Sequence, residues 1–245
     1  MNGWVAKRFW SSVDVVDTGD GFGVSLDGRP VRTPSKLPLI CPTAEMAEKI
    51  AGEWSAVDEV IDPAVMPWTR SANSAIDKVR TQRHEVERHL AGYAATDLLC
   101  YRAEGPQALI DRQALRWDPL IAWASDSFGV TFNVTTGVMP VDQPEETIRH
   151  IGSVMSPMSD FELTGFHDLV TLSGSFVIAL ATLAGRDSPE GLWNASRVDE
   201  EFQIEQWGED EEASEHAKLR KLAFLHAADF FNHAKKTGSI NGLRL

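Results

Sequence analysis

Residues 13–28 read VDVVDTGDGFGVSLDG, and this stretch decides the class of fold because it predicts strands joined by tight turns. Valines dominate its first part, and from Phe22 to Leu26 apolar residues alternate with small or polar ones, which is the period of a strand. Asp27-Gly28 is a two-residue hairpin signal. We therefore predict three or four short antiparallel strands between about residues 9 and 41, with Asp27 and Gly28 as structural turn residues.

After Pro42 the hydrophobic period becomes helical. Thr43 can cap a helix with an apolar stripe that includes Trp54, so Trp54 is predicted to be a structural core residue. Further helices are predicted over residues 71–93, 107–127, 145–155, 161–184, 189–207 and 211–235, with one strand at Thr131–Thr135. The fold class is therefore α+β: a small N-terminal antiparallel β-rich domain over residues 1–42, or extending to about residue 104, and a larger, mainly α-helical domain over residues 43–245.

Composition excludes several classes of partner and site. The 36 acidic and 23 basic residues give a net charge of −13, which argues against a nucleic acid or an anionic membrane surface as partner. Two cysteines are too few for a disulfide framework or a four-sulfur zinc site. The N-terminus lacks the apolar segment of a signal peptide. The uncharged run Leu169–Gly185 is too short to span a membrane, so we expect a buried helix and no stable membrane insertion.

The familiar catalytic signals are weak, so we predict no enzyme, no cofactor and no metal. Gly19–Gly23 resembles a phosphate loop, but it joins two strands and favours a hairpin turn. His84 and His89 are five residues apart and would diverge on a helix. His167 and Asp168 are adjacent, so their side chains are also expected to diverge. A small-molecule hydrolase that uses His167 with Asp168, or the pair Glu201 and Glu205, is the enzyme alternative. It requires those carboxylates to lie in a pocket, with raised pKa values and a neighbouring nucleophile.

The most informative segment is acidic. Nine aspartates and glutamates lie between Asp199 and Glu215, with no lysine or arginine among them. Glu201 and Glu205 form a like-charged pair four residues apart, which is mildly unfavourable on an isolated helix. A solvated helix face and an interaction surface both explain such a run, and the residues alone leave the two open.

Several segments together resemble one family, the assembly chaperones for the alpha subunit of the F-type ATP synthase catalytic head. The resemblance runs in order from about residue 7 to about residue 235 and is carried by Ser196–Glu209, Lys7–Trp10, Leu26–Pro34, Glu53–Trp54, Ile61–Pro63, Met66–Pro67, Thr69–Arg70, Ala75–Asp77, Thr96–Arg102 and Trp117–Leu120. No N-terminal targeting extension is seen, so the chain resembles a bacterial, cytoplasmic member; the eukaryotic members act in the mitochondrial matrix.

The resemblance implies a β-rich N-terminal domain, a helical C-terminal domain and no catalysis. It implies a chaperone that binds the unassembled alpha subunit and prevents its aggregation until the beta subunit replaces it. The partner-binding residues that it implies are Asp199, Glu200, Glu201, Phe202, Glu205 and Trp207. A general protein-interaction adaptor is the third alternative, and the sequence leaves self-association open.

Overall fold

The computed structural model describes residues 7–235, and the α+β class predicted from the sequence is confirmed. The strands are β1 (Val13–Asp17), β2 (Phe22–Leu26), β3 (Arg29–Pro30), β4 (Ile40–Cys41), β5 (Tyr101–Arg102) and β6 (Thr135–Thr136). The helices are α1 (Ala44–Ala56), α2 (Pro67–Ser74), α3 (Arg83–Ala95), α4 (Gln107–Phe128), α5 (Glu145–Gly152), α6 (Asp160–Ser173), α7 (Phe176–Leu183), α8 (Pro189–Ser196), α9 (Val198–Trp207) and α10 (Glu211–Ala234).

Two compact units can be distinguished in the described chain. Unit 1 contains residues 7–83, 158–165 and 229–235. Unit 2 contains residues 84–157 and 166–228. The domain boundary near residue 42 or 104 stays a prediction.

Unit 1 is built on an antiparallel sheet in which β2 pairs with β1, β3 and β4. The predicted hairpin at Asp27-Gly28 forms, with Leu26 opposite Arg29. Asp27 and Gly28 have φ values of 47° and 75°, the left-handed region that a two-residue turn needs at both positions. The Asp27 carboxylate also accepts backbone N–H groups from Ser12 (2.8 Å) and Ser11 (3.0 Å), and these bonds lower its pKa.

Helix α1 packs against this sheet, as its apolar stripe predicts. Thr43 caps it, because its hydroxyl accepts the N–H of Met46 at 3.3 Å. Met46 and Ile50 are fully buried, and Trp54 is half-buried against the same core. The Trp54 indole meets the ring of Trp10 edge-on, with 5.3 Å between centroids. Trp54 therefore packs at the edge of the core of unit 1, and its structural role stays a prediction.

Helix α2 begins where a side chain from α1 caps it. The Glu53 carboxylate accepts the N–H of Trp68 (2.6 Å) and both the N–H (2.8 Å) and the hydroxyl (2.7 Å) of Thr69. Burial raises the pKa of this carboxyl, and the three hydrogen bonds oppose the shift. The single helix predicted over residues 71–93 is wrong: α2 continues as a π-helical turn at Ala75–Val79, and α3 begins only at Arg83.

The centre of unit 2 is α7, whose residues from Phe176 to Ala181 are all buried. The buried character of this region was predicted correctly, but the single helix over residues 161–184 is wrong. Gly174 has a φ of 72° and ends α6, and Ser175 has extended backbone and caps α7 by accepting the N–H of Ile178 at 2.9 Å. Two helices therefore replace one because a left-handed glycine and a capping serine stand side by side.

Two further predictions fail in unit 2. The helix over residues 189–207 is interrupted at Arg197, which separates α8 from α9. The strand at Thr131–Thr135 is reduced to Thr135–Thr136, which pairs in parallel with β5. Within residues 7–235 no helix is both long enough and apolar enough to cross the membrane.

Candidate functional site

The candidate site is the face of unit 2 formed by α9, and its sequence explains which side chains it buries. Val198 and Phe202 lie four residues apart on one side of the helix, and both are buried. Glu201 and Glu205 lie on the neighbouring side and are exposed. The helix ends at Trp207, because Gly208 follows with a φ of 90°. Val198 and Phe202 therefore fix α9 to the interior of unit 2, and the acidic residues lie on its exposed face.

Arg112 of α4 connects the buried and the exposed sides of α9. Its guanidinium makes two hydrogen bonds to the Glu205 carboxylate, at 2.7 and 2.8 Å, and lies over the Phe202 ring at 5.3 Å from the centroid. The hydrogen bond to Arg112 lowers the pKa of Glu205, and the same bond raises the pKa of Arg112. Glu205 is therefore held as a carboxylate in a fixed position.

Gln113, the next residue on α4, binds the beginning of α9. Its Nε2 donates to the Asp199 carboxylate at 2.6 Å, and its Oε1 accepts the N–H of Ala103 at 2.9 Å. Gln113 is buried, so both ends of its amide need partners. Asp199 accordingly supports the position of α9.

The carboxylates of Glu200 and Glu201 differ in whether they accept a hydrogen bond from a neighbouring side chain. Glu200 accepts a hydrogen bond from Arg197 at 3.0 Å. Glu201 is exposed and makes no side-chain hydrogen bond within the described range 7–235, but its charge also acts on the Arg112 guanidinium and helps to raise the pKa of Arg112. The Glu201 carboxylate therefore keeps its hydrogen-bonding capacity for an external cation, although it shares the positive charge of Arg112 with Glu205.

Trp207 is 80% exposed, the opposite of Phe202. It borders a groove of about 550 Å³ between α9 and α10. The groove is also lined by Ile204 on one side and by Lys218 and Lys221 on the other. An exposed indole beside a groove offers a large rigid contact area. Of the two aromatics predicted to bind a partner, the structure thus exposes Trp207 and buries Phe202.

Of the features that the hydrolase alternative needs, Glu205 lacks a raised pKa, whereas the side chains of His167 and Asp168 do come together. The pKa of Glu205 is lowered by Arg112, whereas a general acid at neutral pH needs a raised value. His167 and Asp168 do meet, with Nδ1 and Oδ1 3.0 Å apart, so the expectation that they diverge is wrong; rotation about the side-chain bonds brings them together. Among the described residues no group of three or more potential ligands could hold a metal ion.

Sequence reasoning missed Arg112 and Gln113, which position the acidic helix. Arg112 and Glu205 are 93 residues apart, and nothing in either local pattern connects them. Gln113 could have been found, because it lies four residues before the buried Trp117 and therefore on a core-facing side of its helix. A polar residue at such a position indicates a buried hydrogen bond.

Known proteins resemble this chain along most of its length. A family model described as ATP12 chaperone protein matches residues 7–125. A crystal structure of Atp12 from Paracoccus denitrificans is 46% identical with a TM-score of 0.90, covering 94% of this chain and 99% of that one. A solved protein from Agrobacterium tumefaciens is 38% identical with a TM-score of 0.89, covering 95% and 87%. Mitochondrial atp12 of Schizosaccharomyces pombe is 25% identical over 221 residues, 85% of this chain and 76% of that protein.

Proposed function

Because this chain belongs to the ATP12 chaperone family, we propose that it binds the unassembled alpha subunit of the F-type ATP synthase and prevents its aggregation. The family consists of chaperones of F1 ATP synthase assembly, and the choice of the alpha subunit rests on the sequence resemblance described above. In this proposal the chain works by binding and release, not as an enzyme, and the beta subunit takes its place during assembly. In a bacterium it would act in the cytoplasm.

The need for such a protein follows from the surface of an unassembled subunit. A subunit that normally lies within a ring of subunits exposes apolar contact surface when it is alone, and such surface associates with itself. A chaperone must cover this surface and later release it. A binding face with one aromatic anchor surrounded by charges suits that task, because charges steer the encounter and set specificity while the aromatic supplies desolvated contact area.

The observation that carries the assignment of the face is the exposure of Trp207 beside the exposed Glu201 carboxylate. We assign direct contact with the client to Trp207, Glu201 and the exposed edge of Glu205. Phe202 and Asp199 act as positioning residues in this proposal, because their side chains are used inside unit 2. The client is expected to present a basic surface to α9.

The test is the suppression of aggregation of the isolated alpha subunit by parent and variant chains. Trp207→Ala is expected to weaken binding about tenfold, as loss of an aromatic anchor does. Glu201→Lys is expected to slow association, with an effect that shrinks as salt is raised. The matched control is Asp126→Lys, which makes the same charge change at an exposed position of α4.

Unfolding curves of the variants separate binding from stability. Both substitutions replace exposed side chains, so the midpoints should match that of the parent. Folded variants that protect the alpha subunit at parental concentrations would remove α9 from the interface. A parent chain that neither binds nor protects the alpha subunit would contradict the proposed function, and a different main client recovered from a cell extract would favour the adaptor alternative.

A further inference from the structure

Strand β1 lies at one edge of the sheet in unit 1, and its register identifies its outward-facing backbone groups. In an antiparallel ladder, residues that bond to the neighbouring strand alternate with residues that point away. The N–H of Asp27 donates to the carbonyl of Ser12 at 3.1 Å, so every second residue from Ser12 onward faces β2. Val13, Val15 and Asp17 therefore direct their N–H and C=O groups away from β2, where no further strand pairs among residues 7–235.

The hydrogen bonds on the far side of β2 support this register. Val31 donates its N–H to the carbonyl of Val24 at 2.8 Å, which shows that the backbone of Val24 faces β3. Val24 is the residue opposite Val15 in the ladder. Since neither member of that pair bonds to the other, the backbone groups of Val15 face the open edge.

The edge is accessible and carries few of the devices that usually protect an edge strand. Four of the five residues of β1 are exposed, among them Val15 (36%) and Val16 (43%). The strand contains no proline and no lysine, and its five residues pair with β2 without a bulge. Its protection consists of two carboxylates: Asp14 accepts the Ser12 hydroxyl at 3.3 Å and Asp17 accepts the N–H of Gly19 at 2.8 Å, and neither makes an ion pair within the described chain.

Those carboxylates select between possible occupants of the edge. A second copy of β1 would bring like charges together, which disfavours pairing between two chaperones. A strand that carries lysine or arginine beside apolar residues would place opposite charges next to Asp14 and Asp17 and apolar contacts on Val15 and Val16. The strongly acidic net charge of −13 favours the same basic occupant.

We propose that β1 is a docking edge on which an extended, basic and apolar segment of the client adds as a further strand. Backbone hydrogen bonds at Val13, Val15 and Asp17 hold the segment, and the carboxylates of Asp14 and Asp17 favour a segment with basic side chains. The identity of the client rests on the proposed function. The edge lies in unit 1 and is a different surface from α9 of unit 2.

The principal test is Val15→Pro, which removes one outward N–H. The substitution leaves the ladder to β2 intact, because the N–H of Val15 does not take part in it, and an edge strand tolerates proline at such a position. The extended backbone of Asp14 suits a residue that precedes proline. Binding to the alpha subunit is expected to be at least about tenfold weaker, while Val15→Thr, which keeps the N–H and the shape, binds like the parent.

Two further measurements keep the test decisive if the proline variant unfolds. Asp14→Lys leaves the backbone unchanged and should weaken binding and flatten its salt dependence, whereas Asp126→Lys should do neither. Amide exchange should slow on complex formation at Val15 and Asp17, while Asp14 and Val16 are already protected by β2.

The outcomes distinguish this inference from the proposed function. A folded Val15→Pro chain that binds the alpha subunit as tightly as the parent overturns the docking edge and leaves the chaperone function standing. Unchanged amide exchange at Val15 and Asp17 in the complex also overturns it. A parent chain that does not bind the alpha subunit overturns both proposals.

Discussion

Asp97 is a fully buried carboxylate that ties the short 3₁₀ turn Leu98–Cys100 to the beginning of α7 within unit 2. Its Oδ1 accepts the hydroxyl of Ser175 at 2.7 Å and the N–H of Leu99 at 3.0 Å, and its Oδ2 accepts the N–H of Val177 at 3.0 Å. Burial raises the pKa of Asp97 to about 6, although these hydrogen bonds favour the charged form. Burying this carboxylate therefore costs free energy, and its hydrogen bonds to the two segments offset part of that cost.

We predict that Asp97 makes the stability depend on pH. A free aspartate side chain has a pKa of 3.8, whereas the pKa of Asp97 in the folded chain is about 6, so the folded chain binds this proton more tightly. The contribution of Asp97 to the free energy of unfolding is thus fully present below pH 3.8 and is lost as the pH rises through 6, a change of about 3 kcal/mol.

Urea unfolding of the parent and of Asp97→Asn, at pH values below, between and above these two pKa values, checks the prediction. The difference in unfolding free energy between the two chains should fall as the pH rises and become constant above the folded pKa. A difference that stays the same across the whole range would show that the carboxyl keeps an ordinary pKa.

At the scale of elements, the turn between β1 and β2 is tied closely to β4. A Cβ on Gly21 would meet the carbonyl oxygen of Cys41 far inside contact distance, and Cγ2 of Ile40 at 2.8 Å. Gly52 in α1 offers the contrast, because a Cβ there would have no atom within 4 Å outside its own helix. Gly21 therefore permits the close approach of the β1–β2 turn to β4, whereas Gly52 occupies an exposed helix position with space for a side chain.

Alanine at each glycine should shift stability in opposite directions. Gly21→Ala is expected to lower the unfolding free energy by about 2 kcal/mol, since the backbone of β4 must move. Gly52→Ala is expected to raise it by about 0.5–1 kcal/mol through helix propensity. Denaturant titration of the parent and of both variants measures these changes in unfolding free energy. A Gly21→Ala chain as stable as the parent would show that the hairpin adapts without cost.

At the scale of the whole molecule, each compact unit contains one buried cysteine. Cys41 lies in unit 1 and Cys100 in unit 2, and both are free thiols. Burial raises the pKa of each thiol to about 12, so neither forms an appreciable amount of the reactive thiolate at neutral pH. The pair therefore reports on the opening of each unit.

We predict that the native chain resists thiol reagents and that both cysteines become reactive together. Helices α6 and α10 each contribute residues to both units, so unfolding of one unit removes part of the other. In the variants Cys41→Ser and Cys100→Ser a thiol reagent can label only the cysteine that remains. Across a denaturant series the two labelling curves should have the same midpoint concentration of denaturant. Two separated midpoints would show that the units unfold independently.

The sequence predicted the features that depend on neighbouring residues. The Asp27-Gly28 turn, the Thr43 cap and the apolar stripe of α1 all follow from short-range preferences, and all three form. The broken helices show the limit of that reasoning. Gly174 and Arg197 lie within patterns that would have continued as helix, and hydrophobic periodicity does not report where one helix stops and the next begins on the same face.

Tertiary structure alone decided how the acidic segment is used. The sequence could mark Glu201, Phe202, Glu205 and Trp207 as a group, but all four look alike as members of one helical run. The structure separates them because α4 brings Arg112 onto Glu205 and over Phe202, whereas Trp207 stays exposed. The local backbone sets where a side chain can point, whereas its burial and its partner depend on residues that only the folded core brings near.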